Sequence, residues 1–124
     1  MNVMKDRTKQ CYMVPDSDED QLMAAVYHHG AVTIVVDSGG IDWQLYQGGI
    51  AHPRDCSSDT LNHAVLLVGY GTDEETGEDY WIIRNSWGSW WGENGYMKLA
   101  RNSGNMCGVA SLGNFVTYDT YTQY

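Results

Sequence analysis

The chain has 124 residues, of which 43% are hydrophobic, so it suits one small domain and its composition argues against disorder. The formal net charge is -9, and the seven basic residues are scattered, which argues against nucleic-acid binding. No apolar run reaches membrane-spanning length, and Met1–Pro15 lacks the apolar centre of a secretory signal. We therefore expect no nucleic-acid or membrane partner and no signal peptide in this chain.

The predicted elements describe one helix followed by strands. A polar lead-in segment is expected over residues 1–15 and a single domain over residues 16–124. Asp16 or Ser17 can cap a helix after Pro15, and Gly30 is placed to end it. The acidic segment Thr72–Asp79 predicts a hairpin loop. Short segments rich in β-branched and apolar residues predict strands over Ala31–Asp37, Ala64–Tyr70, Tyr80–Arg84, Gly95–Ala100 and Asn114–Tyr118. This order predicts an α+β fold with an antiparallel, barrel-like sheet.

Among the histidines, the position of His63 favours a catalytic role, because it lies at the start of an apolar strand. Antiparallel pairing across the hairpin brings the start of that strand beside the end of the next, where Asn85 lies. An amide oxygen can accept from one imidazole nitrogen, which leaves the other free to serve a nucleophile. We therefore predict a general base and its orienting residue. Structural positions are predicted for His28 and His29 at the helix end and a solvated loop position for His52.

The segment from Asn85 to Tyr96 alternates glycine with large aromatic rings. One interpretation is an aromatic core cluster. The sharper hypothesis is that Trp87 covers the hydrogen bond between His63 and Asn85 and keeps water from it.

Three cysteines, Cys11, Cys56 and Cys107, fit no zinc-ligand spacing. At most one internal disulfide can form, and one thiol is then left over. No metal site and no cofactor is predicted.

The segments LNHAVLLVGYG, YWIIRNSWGSWWGENGYMKLAR and CGVAS resemble the papain family of cysteine peptidases, closest to its cathepsin L-like branch. The resemblance runs from about Asp16 to about Tyr118 and implies the right-hand, C-terminal domain of that fold. It implies that His63 is the general base, that Asn85 orients it and that Trp87 packs over both.

The same resemblance implies further site residues and a cellular setting. It pairs Cys56 with Cys107 in a disulfide and leaves Cys11 free. It implies a peptide or protein substrate and lysosomal or extracellular placement. The residues that it assigns to substrate binding, mainly to a pocket for an apolar side chain, are Val35, Leu61, Asn62, Ala64 and Leu112.

The sequence departs from the family at the nucleophile. The signature C-G-[SA]-C-[WY] does not occur, and Cys11 lies in an unrelated context. We therefore expect half an active site, inactive alone, whose partner would be a left-hand domain that carries the cysteine. The alternative is a non-catalytic papain-like binding or interaction module, and a generic soluble barrel is a third, weaker hypothesis.

Overall fold

The computed structural model describes residues 8–119, so residues 1–7 of the expected lead-in and residues 120–124 of the expected domain lie outside the described part. The strands are β1 (Thr8–Val14), β2 (Val32–Val36), β3 (Ile50–Ala51), β4 (His63–Thr72), β5 (Asp79–Arg84), β6 (Tyr96–Ala100) and β7 (Gly113–Asp119). The helices are α1 (Glu19–His29), α2 (Ile41–Gln44) and a 3₁₀ turn at Met106–Gly108.

One seven-stranded sheet in the order β1-β7-β2-β4-β5-β6-β3 forms the body of the described chain. All neighbouring strands are antiparallel except β3 and β6, which run parallel. The predicted α+β class is confirmed. The strand order begins and ends on different strands, so hydrogen bonding does not close the sheet into a barrel within residues 8–119. The short β3 pairs only with β6, which leaves that end of the sheet open.

The helix α1 covers one face of the sheet with its buried residues Leu22, Ala25 and Val26. Its cap is Asp18, whose carboxylate accepts from the Gln21 N–H at 3.0 Å; the predicted caps, Asp16 and Ser17, lie outside the helix. Gly30 ends the helix with a φ of 83°, as predicted. Acidic residues in the first turn and two histidines in the last suit the helix dipole.

The strand β1 was not predicted, because polar residues fill its first half, Thr8–Gln10, and its apolar residues do not alternate with polar ones. It pairs with β7 along its whole length, from Thr8 opposite Asp119 to Val14 opposite Gly113. Backbone hydrogen bonds hold a strand on a sheet whatever its side chains are, so a segment without an alternating pattern can still occupy the edge. The expected lead-in therefore contains a strand, and the domain boundary at residue 15 stays a prediction.

A β-bulge at Val68 divides β4 into two halves that face differently. Leu67 pairs with Ile83, but Gly69 pairs with Ile82, so Val68 is one extra residue on this strand. Before the bulge Val65 and Leu67 point into the core, whereas after it Tyr70 packs against the buried Trp81, with ring centroids 6.3 Å apart. His63 is two residues from Val65 and therefore lies on the core side of β4, at its end.

Candidate active site

The β4–β5 hairpin brings His63 and Asn85 together, as the sequence predicts. Nε2 of His63 lies 2.7 Å from Oδ1 of Asn85. Asn85 is buried with 6% of its surface exposed, and His63 is half-buried at the edge of the sheet. The backbone N–H of Asn85 donates to the Gly95 carbonyl at 3.0 Å, which holds the residue after β5 in place.

The contacts of Asn85 determine which imidazole nitrogen carries the proton. Its Oδ1 also accepts from the backbone N–H of Ser86 at 2.7 Å, so this atom is the acceptor in both bonds. In the neutral ring Nε2 therefore donates, and Nδ1 holds the lone pair. No described residue makes a hydrogen bond to Nδ1. In this arrangement Nδ1 can act as a proton acceptor.

Trp87 covers this pair on one side. Its ring stacks on the His63 ring with centroids 5.0 Å apart and an interplanar angle of 25°. Trp87 in turn meets the buried Trp91 edge-on at 5.5 Å. Trp91 is fixed because its indole N–H lies 3.2 Å from the carbonyl oxygens of both Trp43 and Gln44 in α2. The aromatic segment is thus both a core cluster, through Trp91, and a cover for the base, through Trp87.

Three of the predicted substrate-binding residues are brought together where β2 meets β4. Val35 pairs with Ala64 across the two strands, and the Val35 N–H donates to the carbonyl of Leu112 at 3.2 Å. Leu112 is exposed, with 42% of its surface accessible. Leu61 packs closely against the backbone at Gly108, since a Cβ atom added at that glycine would lie 2.5 Å from the Leu61 Cδ2 atom. Their role in binding stays a prediction.

Asn62 has a structural contact that the sequence did not predict. Its amide N–H donates to Asp37 Oδ1 at 2.8 Å, and its Oδ1 accepts from the backbone N–H of Ser38 at 3.0 Å. Asp37 Oδ2 accepts from the Ser57 N–H at 2.8 Å, and Asp37 Oδ1 also accepts from the Gly39 N–H at 3.1 Å. Donation from the Ser57 backbone, then from Gly39 and Asn62, lowers the pKa of Asp37 against the opposing effect of burial. Asp37 thereby holds the segment that leads into His63.

A disulfide joins Cys56 to Cys107, with Cα atoms 5.0 Å apart, as the family resemblance implies. It ties the loop before β4 to the 3₁₀ turn before β7. Cys11 is an exposed free thiol on β1.

An open groove of about 580 Å³ lies beside Asn85. Residues of β2, β4 and β5, the loop after β5 and the first residue of β6 line it, among them Thr33, Ala64, Leu66, Arg84, Ser86, Ser89 and Tyr96. Asn85 Nδ2 is buried and has no hydrogen-bond partner within residues 8–119. A buried amide N–H without a protein acceptor costs free energy.

The remaining histidines lie away from this site. His28 and His29 are exposed at the end of α1, and His52 is exposed with Nε2 2.6 Å from a carboxylate oxygen of Glu78. In the described part of the chain, no group of three or more His, Cys, Asp or Glu side chains could hold a metal ion. The helices between residues 8 and 119 include none long and apolar enough to cross a membrane.

A positioned imidazole, its amide partner and a covering indole are an arrangement that can serve as the base half of a nucleophilic site. The family model for papain family cysteine proteases matches residues 2–117. The chain therefore belongs to the papain family of cysteine proteases, and the matched region is the C-terminal part of that fold.

Curated relatives and solved structures agree with this assignment. A cathepsin L-like protein of Caenorhabditis elegans is 52% identical over 101 residues, which cover 82% of this chain and 30% of that protein. Cathepsin L of Sarcophaga peregrina is 44% identical over 104 residues, 84% of this chain and 30% of that protein. The chain thus spans about 30% of the length of these relatives.

Two solved structures share the fold. Digestive procathepsin L 3 from the larval midgut of Tenebrio molitor superimposes with a TM-score of 0.82 at 44% identity, over 86% of this chain and 34% of that one. The bromelain protease of Ananas comosus, solved in complex with the E64 inhibitor, gives a TM-score of 0.79 at 38% identity, over 86% of this chain and 49% of that one.

Proposed function

We propose that this chain supplies the general base and its orienting amide to a papain-type cysteine endopeptidase whose nucleophilic thiol is carried by a left-hand domain. The observation that carries the proposal is the 2.7 Å bond between His63 Nε2 and Asn85 Oδ1 beneath the Trp87 ring. This bond directs the lone pair of Nδ1 away from the hairpin, toward the place where a thiol would have to stand.

In the proposed reaction His63 Nδ1 takes the thiol proton, and the thiolate sulfur bonds to the carbonyl carbon of the peptide. The imidazolium then gives that proton to the amine as the carbon–nitrogen bond breaks. Water, deprotonated by the same nitrogen, hydrolyses the thioester and regenerates the thiol. Asn85 keeps the ring in one tautomer through both proton transfers, because its Oδ1 is an acceptor only.

The groove beside Asn85 supports a left-hand domain as the partner. Exposed Arg84 offers a positive charge there, and exposed Ser86 and Ser89 offer hydroxyl groups. A docked domain would cover this groove and would complete the half of the cleft that this chain lacks. By the same family reasoning we propose a peptide or protein substrate and lysosomal or extracellular placement, where the disulfide would be stable.

The experiment combines the purified chain with a cysteine-bearing left-hand domain and a fluorogenic dipeptide amide whose penultimate residue is apolar. We expect no cleavage by this chain alone, cleavage with the added domain, and loss of that activity in His63→Ala. His52→Ala is the matched control, because His52 is an exposed histidine outside the site.

Activity of the chain alone that survives His63→Ala would show that His63 is not the catalytic base. Tight binding of the left-hand domain or of peptides with no cleavage in any combination would instead favour a non-catalytic interaction module.

A further inference from the structure

The start of β4, which carries the imidazole, is paired on one side only. Pairing with β5 begins at Leu66, which lies opposite Arg84. Pairing with β2 reaches His63 itself, which lies opposite Val36. The Asn62 N–H also donates to the carbonyl oxygen of Val36 at 2.9 Å. The backbone position of the imidazole therefore depends on the end of β2 more than on the hairpin.

The disulfide between Cys56 and Cys107 encloses the end of β2. The residue after β2, Asp37, donates its N–H to the Cys107 carbonyl at 2.9 Å. Its carboxylate accepts from the N–H of Ser57, the residue next to Cys56, at 2.8 Å. The other carboxylate oxygen accepts from Asn62 at 2.8 Å. We call these three hydrogen bonds the Asp37 network. Each half of the bridge adjoins one of its bonds, and the third bond leads to the residue before His63.

The backbone at Cys107 needs contacts to hold it. Its φ is 55°, in the left-handed region that residues with a Cβ atom rarely adopt. Such a conformation persists only where the surrounding structure enforces it. Two contacts that do so are the bridge to Cys56 and the bond from the Asp37 N–H. Without the bridge this backbone can relax, and the carbonyl then moves away from Asp37.

We propose that the Cys56–Cys107 disulfide is a positioning element for the base, so that its reduction by a dithiol releases His63 from Asn85 while the sheet stays folded. The proposal deepens the proposed function, on which it rests for the role of His63 as a base.

The reduction is an ordinary thiol–disulfide exchange. Cys56 is half-buried and Cys107 is buried, so the dithiol reaches the bridge at Cys56. Its thiolate forms a mixed disulfide with the Cys56 sulfur, and Cys107 leaves as a thiolate that takes up a proton. The second thiol of the reagent then releases Cys56 and closes the reagent's own disulfide. Two electrons and two protons pass from the dithiol to the chain.

The test observes the imidazole directly, in the ¹⁵N spectrum of the chain at about pH 8, where an ordinary histidine is neutral. All samples carry Cys11→Ser, which removes the exposed free thiol. After reduction by dithiothreitol, and in Cys56→Ser/Cys107→Ser, the Nδ1–H tautomer of His63 should rise at least about tenfold, the change that loss of one hydrogen bond allows. Asn85→Ala gives the reference spectrum of a ring without its partner. Cross-strand nuclear Overhauser effects between β5 and β6 report whether the sheet is folded.

A second variant keeps the bridge and breaks the Asp37 network. Asp37→Asn removes the acceptor of the Ser57 N–H and should raise the same tautomer. Asp59→Asn, which changes an exposed carboxylate, is the matched control and should not. With an added left-hand domain, the double cysteine variant should lower kcat by about tenfold to a hundredfold and change KM little, because a misplaced base affects proton transfer rather than substrate binding.

An unchanged His63 spectrum after reduction, in a chain whose β5–β6 contacts persist, would overturn the proposal. Loss of those contacts would overturn it as well, since the bridge would then hold the whole fold rather than the base. A tautomer change on reduction that is absent from Asp37→Asn would overturn the route through the Asp37 network. If the unmodified chain with the added domain is inactive, the proposed function fails, and the spectrum of the chain alone still decides the role of the bridge.

Discussion

At the scale of one residue, the hydrogen bonds of Asp37 hold the segment that leads into the candidate site. Its two carboxylate oxygens accept from the backbone of Ser57, the backbone of Gly39 and the side chain of Asn62. Gly39 lies on the same stretch as Asp37, whereas Ser57 and Asn62 belong to the loop before β4, which runs directly into His63. A single buried carboxylate thereby fixes the approach to the base.

Replacement of Asp37 by Asn should lower the free energy of unfolding by about 1–3 kcal/mol near neutral pH, because the Ser57 N–H then meets an amide that donates rather than accepts. The pKa of Asp37 is lowered in the folded chain, so its stabilisation is present above the unfolded pKa of about 3.9 and is lost as the pH falls through the folded value. Urea unfolding between pH 3 and pH 7 measures how this stabilisation depends on pH.

We therefore expect the stability difference between the unmodified chain and Asp37→Asn to shrink as the pH falls below about 4, near the unfolded pKa of Asp. Asp59→Asn is the control, because Asp59 is exposed and its carboxylate makes no hydrogen bond to another described residue. A difference that stays constant across the pH range would show that the charge of Asp37 is not what stabilises the segment.

The sequence predicted His63 and Asn85 because their juxtaposition follows from local antiparallel pairing. It did not predict the contacts of Asp37, which join segments that are distant along the chain. A signal existed, since Asp37 ends one predicted strand and Asn62 precedes another. Strand order, however, was not known from the sequence, so the meeting of these two ends could not be derived.

At the scale of elements, the bulge in β4 decides which face carries the base. If Tyr70 opposite Trp81 set the register throughout, Leu66 would stand opposite Asn85 and His63 would point to the other face of the sheet. The extra residue Val68 moves the first half of β4 by one position. His63 then shares the face of Asn85.

Deletion of Val68 should leave the two site residues together, because Leu67 can stay opposite Ile83 while Gly69 stays opposite Ile82 in one continuous ladder. The loss of one half-buried valine side chain should lower the free energy of unfolding by about 1 kcal/mol. We expect the single Nε2–H tautomer to persist in the ¹⁵N spectrum of His63.

Val68→Ala is the matched variant, because it keeps the residue count and hence the register. It should retain the His63 tautomer. If the deletion loses the tautomer while Val68→Ala keeps it, the pairings on either side of the bulge are not sufficient to place His63.

Most of the long elements could be predicted from the sequence, whereas the short and polar ones could not. The strands β2, β4, β5, β6 and β7 and the helix α1 follow from apolar and β-branched runs and agree with the structure within a few residues. The β-bulge in β4 was not predicted from the composition of the strand. The elements α2 and β3 have four and two residues, too few to show a period, and they are fixed by tertiary contacts such as the bond from Trp91 to α2.

At the scale of the whole molecule, the Cys56–Cys107 disulfide is the covalent link between the centre of the chain and its C-terminal part. The two cysteines are 51 positions apart. In the chain-entropy model a cross-link of this span removes on the order of 4 kcal/mol of freedom from the unfolded state. A domain of this size has little stability to spare.

The double variant Cys56→Ser/Cys107→Ser should therefore lower the free energy of unfolding by roughly 2–4 kcal/mol, measured by urea titration. Cys11→Ser removes the exposed free thiol and serves as the control, with no expected change. If the free energy of unfolding falls no further in the double variant than in the control, the disulfide does not stabilise the fold as proposed.

The hairpin has a consequence for how such a protein can change over generations. His63, Asn85 and Trp87 lie on one uninterrupted stretch of sequence, and the bonds that orient them form within or next to that stretch. A gene duplication, fusion or truncation that keeps the stretch whole transmits the three together. The proposed function requires a thiol from outside this stretch, and a single break could part such a thiol from them. A lineage of this kind can lose its chemistry in one event while inheriting the base intact, and regain it by joining a compatible gene.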